Sequence, residues 1–256
     1  MTLEQLTTEI RISKRADYVG TASLDSAADF IRDQGGDFIA QFPTSVSVGI
    51  ILPSAIVDLL PRRSERAVQV SYRSHAYDVV NQRLDILTSE ISSRLQSAGF
   101  AAFPVPASQR VDDRRICASF SHKLAAHLAG LGWIGKSCLL VTEDHGPRVR
   151  WATVLTDAPV EVRAEPVADR CGTCTKCVDA CPVGAFTGRH FAPDEPREIR
   201  YAADKCESYF QQMAAEGGLK VCGMCLYACP FGAGRSASRE RPCGQGARGA
   251  DSGTWQ

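Results

Sequence analysis

The chain has no surplus of charge. Its 256 residues carry 29 basic and 29 acidic side chains, a formal charge of zero. That excludes the strong field on which non-specific nucleic-acid or membrane-surface binding relies. It also lacks a long apolar run. The longest, Val46 to Pro53, has the length of a buried strand and falls well short of a membrane span. The opening residues, Met-Thr-Leu-Glu-Gln-Leu, show none of the charged-then-apolar pattern of a secretory leader. The expected setting is therefore the cytoplasm, where thiols stay reduced. Hydrophobic residues make up 44% of the chain, an ordinary share for a globular protein.

Cysteine, in contrast, is abundant: eleven are present, and eight fall into two sets. The first set reads Cys171-Gly-Thr-Cys174-Thr-Lys-Cys177-Val-Asp-Ala-Cys181-Pro182. The second is an isolated Cys206, then Cys222-Gly-Met-Cys225-Leu-Tyr-Ala-Cys229-Pro230. The first run has the C-x2-C-x2-C-x3-C-P spacing of bacterial ferredoxins, in which the fourth cysteine serves the other cluster. A cube of four irons needs four thiolates pointing inward. Two-residue spacings wrap a loop around one face and aim its N–H groups at the sulfurs. The proline after each last cysteine ends the local turn and redirects the chain. The expected ligand sets cross over: Cys171, Cys174, Cys177 and Cys229 for cluster 1, and Cys181, Cys206, Cys222 and Cys225 for cluster 2. Zinc also uses paired CxxC motifs, but the third cysteine in register and the Cys-Pro endings favour two [4Fe–4S] clusters. Disulfides conflict with a reducing compartment. Cys117 and Cys138, in apolar surroundings, read as buried free thiols, and Cys243 as incidental.

The rest of the chain reads as an α/β (mixed α+β) N-terminal domain over 1–160. A small α-helical, bacterial-ferredoxin-like dicluster domain follows over 161–232, and a disordered tail over 233–256. Residues 1–20 suggest a helix leading into Tyr18-Val19-Gly20. Residues 24–40 alternate small, charged and apolar types and end in a loop near Phe42. Residues 45–52 read as a buried strand. Val80, Leu84, Leu87, Ile91 and Leu95 recur at helical spacing within 77–97, ahead of Gly99, and 100–105 as a returning strand. Ser121 is placed to cap a helix ending at Gly130, and Asp204 one that carries Cys206. Residues 137–141 and 151–156 read as two strands joined by a turn at 143–147.

In this order, Ala129-Gly-Leu-Gly-Trp-Ile-Gly-Lys136, Gly146, Leu155-Thr-Asp157, CGTCTKCVDACP, Cys206-Glu-Ser-Tyr and CGMCLYACP resemble the epoxyqueuosine reductase family and, more distantly, the reductive dehalogenases. The resemblance implies a corrinoid (cobalamin) fed by the two clusters. It also implies a cofactor-facing role for Gly130, Gly132, Trp133, Gly135 and Lys136, the glycines permitting close backbone approach. On the residues alone, a tight helix-to-strand connection with Trp133 in the core explains the same run.

Two departures separate the chain from that family. The family's proposed proton-donating aspartate would fall in Ile116-Cys117-Ala118-Ser119-Phe120, which holds no carboxylate, and Asp112 and Asp113 lie earlier. Reductive removal of an oxygen needs an acid within reach, for which Cys117 and His122 are candidates; His122 is the catalytic expectation. Lys123 beside it is suited to an anion or to a solvated face. The chain also ends soon after the second cysteine set, so the expectation is a small-molecule substrate and not tRNA, with a ferredoxin or flavodoxin as electron donor and no membrane partner. The competing expectations are a ferredoxin-like electron-transfer protein without corrinoid or substrate chemistry, and clusters that only hold the fold together.

Overall fold

The structure, a computed structural model, describes residues 2–159 and 164–233. The expected tail and Cys243 lie outside the described residues. The N-terminal region is mixed α/β around an antiparallel sheet, followed by the cysteine-rich dicluster region.

The sheet runs β1 (Tyr18–Ser23), β2 (Thr44–Ile51), β6 (Val149–Thr156), β3 (Ala102–Val105), every neighbouring pair antiparallel. Both central strands are buried on both sides, so each reads as a nearly continuous small-and-apolar run. Alternation still assigns the faces. Val46, Val48 and Ile50 of β2 and Ala152 and Val154 of β6 join the helix Val80–Ser97 in one apolar cluster. Leu155 of β6 packs with Phe120, Leu124 and Ala125 around the helix His122–Leu128 on the other face. The result is helix, sheet, helix.

The periodic helix forms as its sequence predicts. Val80, Leu84, Leu87, Ile91 and Leu95 are all buried, each contributing about 1.5–3 kcal/mol of transfer free energy. Gly99 at φ +93° ends it. The turns ahead of it, Arg73–Val79, are π-helical. At the N-terminus the helix Leu3–Ile12 starts in a capping box, with Gln5 N–H donating to Thr2 Oγ1 at 3.2 Å and Thr2 N–H to Gln5 Oε1 at 2.9 Å. Residues 25–40 are helical, as the 3₁₀ turn Asp25–Ala27 and the helices Ala28–Gly35 and Asp37–Ala40.

Three local expectations change. Residues 137–141 do not pair with 151–156. Instead β5 (Leu140–Val141) folds back on β4 (Trp133–Ile134), because Gly135 N–H donates to Leu139 O at 2.9 Å and Cys138 adopts φ +53°, closing a tight turn. Ser121 holds the N-cap position but its side chain makes no capping bond. The helix carrying Cys206 spans Ala203–Ala215 with Ala202 as its cap. Asp204 sits in the first turn, where its charge complements the helix dipole.

The cysteine-rich region is welded to the sheet domain. Val221 and Leu226 are buried in the same cluster as β2. At Gly146, φ +54°, an added Cβ would lie 2.7 Å from the Phe231 carbonyl carbon. Arg148, buried beside Gly232, donates from Nη2 to Asp58 at 2.8 Å.

Candidate iron–sulfur centre and adjoining cavity

The cysteines gather into two adjoining groups. The Cys177 thiol lies within electrostatic reach of Cys171 and Cys174, and Cys229 of Cys171 and Cys177. Cys225 feels Cys222, Cys206 and Cys181, while Cys206 feels Cys181 and Cys222. Cys225 also feels Cys177, so the two groups adjoin. Burial, reinforced by the neighbouring thiols, pushes Cys177 up to about 11 and Cys229 up to about 12, and raises Cys225 further. Such a set gains most from a positively charged metal that holds the thiolates. Among the described residues no three His, Cys, Asp or Glu side chains converge on one ion. A mononuclear zinc site requires that convergence, whereas a cube spreads its ligands over four irons.

One orphaned donor tests the fit of a cluster. Trp133 is 1% exposed, and its Nε1–H has no hydrogen-bond acceptor among the described groups. The sulfur it faces is Cys171, and the Lys136 N–H is directed at the same atom; both offset the effect of burial on that thiol. A cluster-bound thiolate is the acceptor that the Trp133 donor lacks. The fit to an iron–sulfur cluster is good.

The glycine-rich run lies close against other parts of the chain. A Cβ on Gly130 would lie 3.0 Å from Glu165 O, on Gly132 3.0 Å from the Val141 carbonyl carbon, and on Gly135 3.3 Å from Cys171 Sγ. Lys136 is buried and donates from Nζ to Gly172 O at 2.7 Å and Cys174 O at 3.3 Å. Gly130, Gly132, Trp133, Gly135 and Lys136 therefore grip the hairpin and the first cysteine loop. Of 130–136 only Ile134 reaches the large cavity next door.

That cavity has a volume of 780 Å3, suited to a drug-sized molecule. Phe30, Phe120, Leu124, Ile134 and Phe191 form apolar wall, and Lys123, Cys138 and Arg200 are part of the lining. Its walls hold two of the three described non-glycine residues with positive φ, Ile116 at +51° and Cys138 at +53°. Such strain collects at functional sites. Arg197 ties the wall together by donating to the carbonyls of Arg115 and Ile116.

His122 lines the cavity with both nitrogens engaged. Nε2–H donates to Pro106 O at 3.1 Å, which leaves Nδ1 to accept from Thr153 Oγ1 at 3.0 Å. Burial pulls its pKa down to about 4, so the ring is neutral at pH 7 and has no N–H to offer a ligand. Its expected role as proton donor does not fit this geometry. Cys117 is half-buried on the cavity wall, and burial raises its pKa. Asp112 accepts from the N–H groups of Arg114 and Arg115, Asp113 pairs with Arg110, and neither lines the cavity.

The cavity adjoins the second cysteine group. Lys123 lies within electrostatic reach of Cys225, and Tyr201, next to Arg200 in the chain, within that of Cys206. Sequence reasoning missed Arg200 altogether. It sits in an Arg-Glu-Ile-Arg stretch with nothing to distinguish it from a surface arginine.

Residues 170–232 match a family model described as a 4Fe-4S double cluster binding domain. Epoxyqueuosine reductase of Bacillus subtilis (strain 168) is 28% identical over 205 residues, 74% of this chain and 47% of that protein. The chain spans about half the length of the curated relatives it matches. A crystal structure of selenomethionine-labelled epoxyqueuosine reductase superposes with a TM-score of 0.58 at 21% identity, covering 90% of this chain and 65% of that one. A reductive dehalogenase, described with a mechanism for B12-dependent dehalogenation, superposes with a TM-score of 0.62 at 20% identity over 85% of this chain and 30% of its own. At these identities the two structural likenesses are likenesses of fold. No helix among the described residues is long and apolar enough to cross a membrane.

Proposed function

We propose that this chain, an epoxyqueuosine reductase-like protein with a 4Fe-4S double cluster domain, is a cytoplasmic iron–sulfur reductase of a ligand held in the 780 Å3 cavity. Cys171, Cys174, Cys177 and Cys229 would hold cluster 1, which would supply one-electron chemistry fed by a small redox protein such as a ferredoxin or flavodoxin. Cys181, Cys206, Cys222 and Cys225 would hold cluster 2 on the side toward the cavity, placing one-electron chemistry next to a ligand there. The observation that carries this reading is that Lys123 and Arg200 line the cavity while Lys123 is within electrostatic reach of Cys225 and Tyr201, the residue after Arg200, within that of Cys206. The reading of the chain as an electron carrier alone expects no ligand pocket.

The likeness to the relatives extends the proposal to a corrinoid, with the cavity as its proposed seat. Its apolar walls at Phe30, Phe120, Ile134 and Phe191 would take the ring's face. When bound, a corrinoid supplies low-valent cobalt for the reduction. The protein's own part is to exclude water with those walls, to fix His122 and Arg197 as struts, and to hold the ligand against Lys123 and Arg200. A small molecule is the proposed substrate. Anaerobic titration with cobalamin is expected to shift the corrinoid spectrum at micromolar protein, and absence of binding there removes the corrinoid from the proposal.

A further inference from the structure

The floor of the cavity carries more positive charge than its surroundings neutralise. Arg200 is 5% exposed. Its Nη1 makes a long contact to Cys138 Sγ at 3.9 Å, its guanidinium lies 4.8 Å over the Phe191 ring, and its Nε has no partner among the described groups. Lys123 Nζ donates to Cys138 O at 2.6 Å. Among the described residues no carboxylate is ion-paired with either side chain. The two cations and Arg197 are close enough that Arg197 and Arg200 hold the Lys123 pKa below its ordinary value, after burial, the larger cause.

Carboxylates do line the cavity, but at its rim. Asp29 pairs with Arg32, Asp33 with Arg115, Glu195 with Arg189 and Glu198 with Arg197. Asp25 is bonded to Ser23, and Asp194 is exposed. A buried, unpaired cation is costly unless an anion meets it. Buried Arg200 and half-buried Lys123, both against Cys138 on the cavity floor, form a site built for an anion, with apolar wall beyond it for an organic body.

We infer that the ligand of this cavity is an organic anion whose carboxylate or phosphate group is seated between Lys123 and Arg200. The inference rests on the cavity being the reductase's ligand site. The shared chemistry is an oxyanion on an apolar body. It has two possible sources, a substrate's own acid group and the phosphodiester tail of a corrinoid.

The test is calorimetry on the anaerobically purified full chain, with three probes of one shape: benzoate, phenyl phosphate and the neutral benzamide. A second pair, cobalamin and the phosphate-free cobinamide, separates the sources. At least one anionic probe is expected to bind tenfold or more tighter than its neutral counterpart. Arg200→Gln is expected to abolish that preference, while Arg189→Gln, outside the lining, leaves it intact. A preference for cobalamin over cobinamide that Arg200→Gln removes identifies the tail as the anion; a preference confined to the small probes identifies the substrate. Equal binding of charged and neutral probes, or no binding of any, overturns the inference, and so does a preference that survives Arg200→Gln. If Arg200→Gln does not fold, the wild-type comparison within each pair decides alone.

The cations could instead serve cluster 2. In that case Arg200→Gln shifts that cluster's potential and leaves probe selectivity unchanged, which also overturns the inference. Calorimetry needs no electron transfer, so its failure in protein with intact, reducible clusters leaves the reductase reading standing. Absence of clusters sinks that reading whatever the probes do.

Discussion

Replacing Trp133 with Phe is expected to lower the reduction potential of cluster 1 and leave cluster 2 where it is. Trp133 Nε1–H faces Cys171 Sγ and has no other acceptor among the described groups. Phenylalanine removes that donor but keeps an aromatic ring against Phe231, now edge-to-face at 4.8 Å. A hydrogen bond to a charged acceptor contributes about 1.5–3 kcal/mol. An added electron spreads over the whole cluster, so only a part of that energy depends on oxidation state. With a third of it doing so, the change is about 0.5–1 kcal/mol, or about 20–40 mV for a one-electron couple. The shift is downward, because the lost donor favoured the more negative, reduced form. Redox titration followed by electron paramagnetic resonance reads both clusters in one sample. Trp151→Phe is the control, since Trp151 Nε1 is equally orphaned but packs among Ile134, Leu140 and Val149. A cluster 1 potential that stays put, or that moves as far with Trp151→Phe, refutes the argument.

Three further outcomes follow from the same contacts. Cys181→Ala is expected to strip iron from the cluster held by Cys206, Cys222 and Cys225 and spare the one at 171–177; loss from the latter set in iron analysis and magnetic resonance would show the ligand sets drawn wrongly. Gly146→Ala combines a left-handed backbone with a Cβ 2.7 Å from the Phe231 carbonyl carbon, so it is expected to cost at least about 2 kcal/mol and to loosen the Cys229 loop; an unchanged melting midpoint and iron content would contradict this. His122 contributes a pH dependence. Its folded pKa of about 4 lies below its ordinary 6.5, so the unfolded chain binds the proton first and stability falls as pH drops from about 6.5 to 4, levelling off below. At about 1.4 kcal/mol per pH unit the full loss is about 3 kcal/mol. Denaturant titrations at pH 7 and pH 4.5 should show the fall in wild type and a shallower one in His122→Gln.

The dicluster region was legible because ligand spacing along a chain is a direct consequence of the geometry of the cube. Cys177 feels Cys171 and Cys174, whereas Cys181 is felt by Cys206, and the ferredoxin pattern expects those two neighbourhoods to differ. The helix Val80–Ser97 was legible for a comparable reason: its five apolar positions face one sheet. The run 130–136 was open to two readings because glycines report only that something comes close. Here the neighbours are Glu165, Val141 and Cys171 Sγ, all from the protein itself. The pairing of 137–141 misled because a left-handed Cys138 is invisible in composition. His122 looked available for chemistry until Pro106 and Thr153, distant in sequence, were seen to occupy its two nitrogens. Arg200 carried no local signal at all, since its significance lies in the carboxylate it does not meet.

The central claim is that two crossed [4Fe–4S] clusters sit beside a ligand cavity in one chain. Iron, sulfide and zinc analysis of anaerobically purified protein, joined to Mössbauer spectroscopy, tests it most directly. The account predicts eight irons and eight sulfides per chain in two cubane clusters, falling to about half in the Cys181→Ala variant. Stoichiometric zinc without sulfide, or a single cluster unaffected by Cys181→Ala, would contradict it.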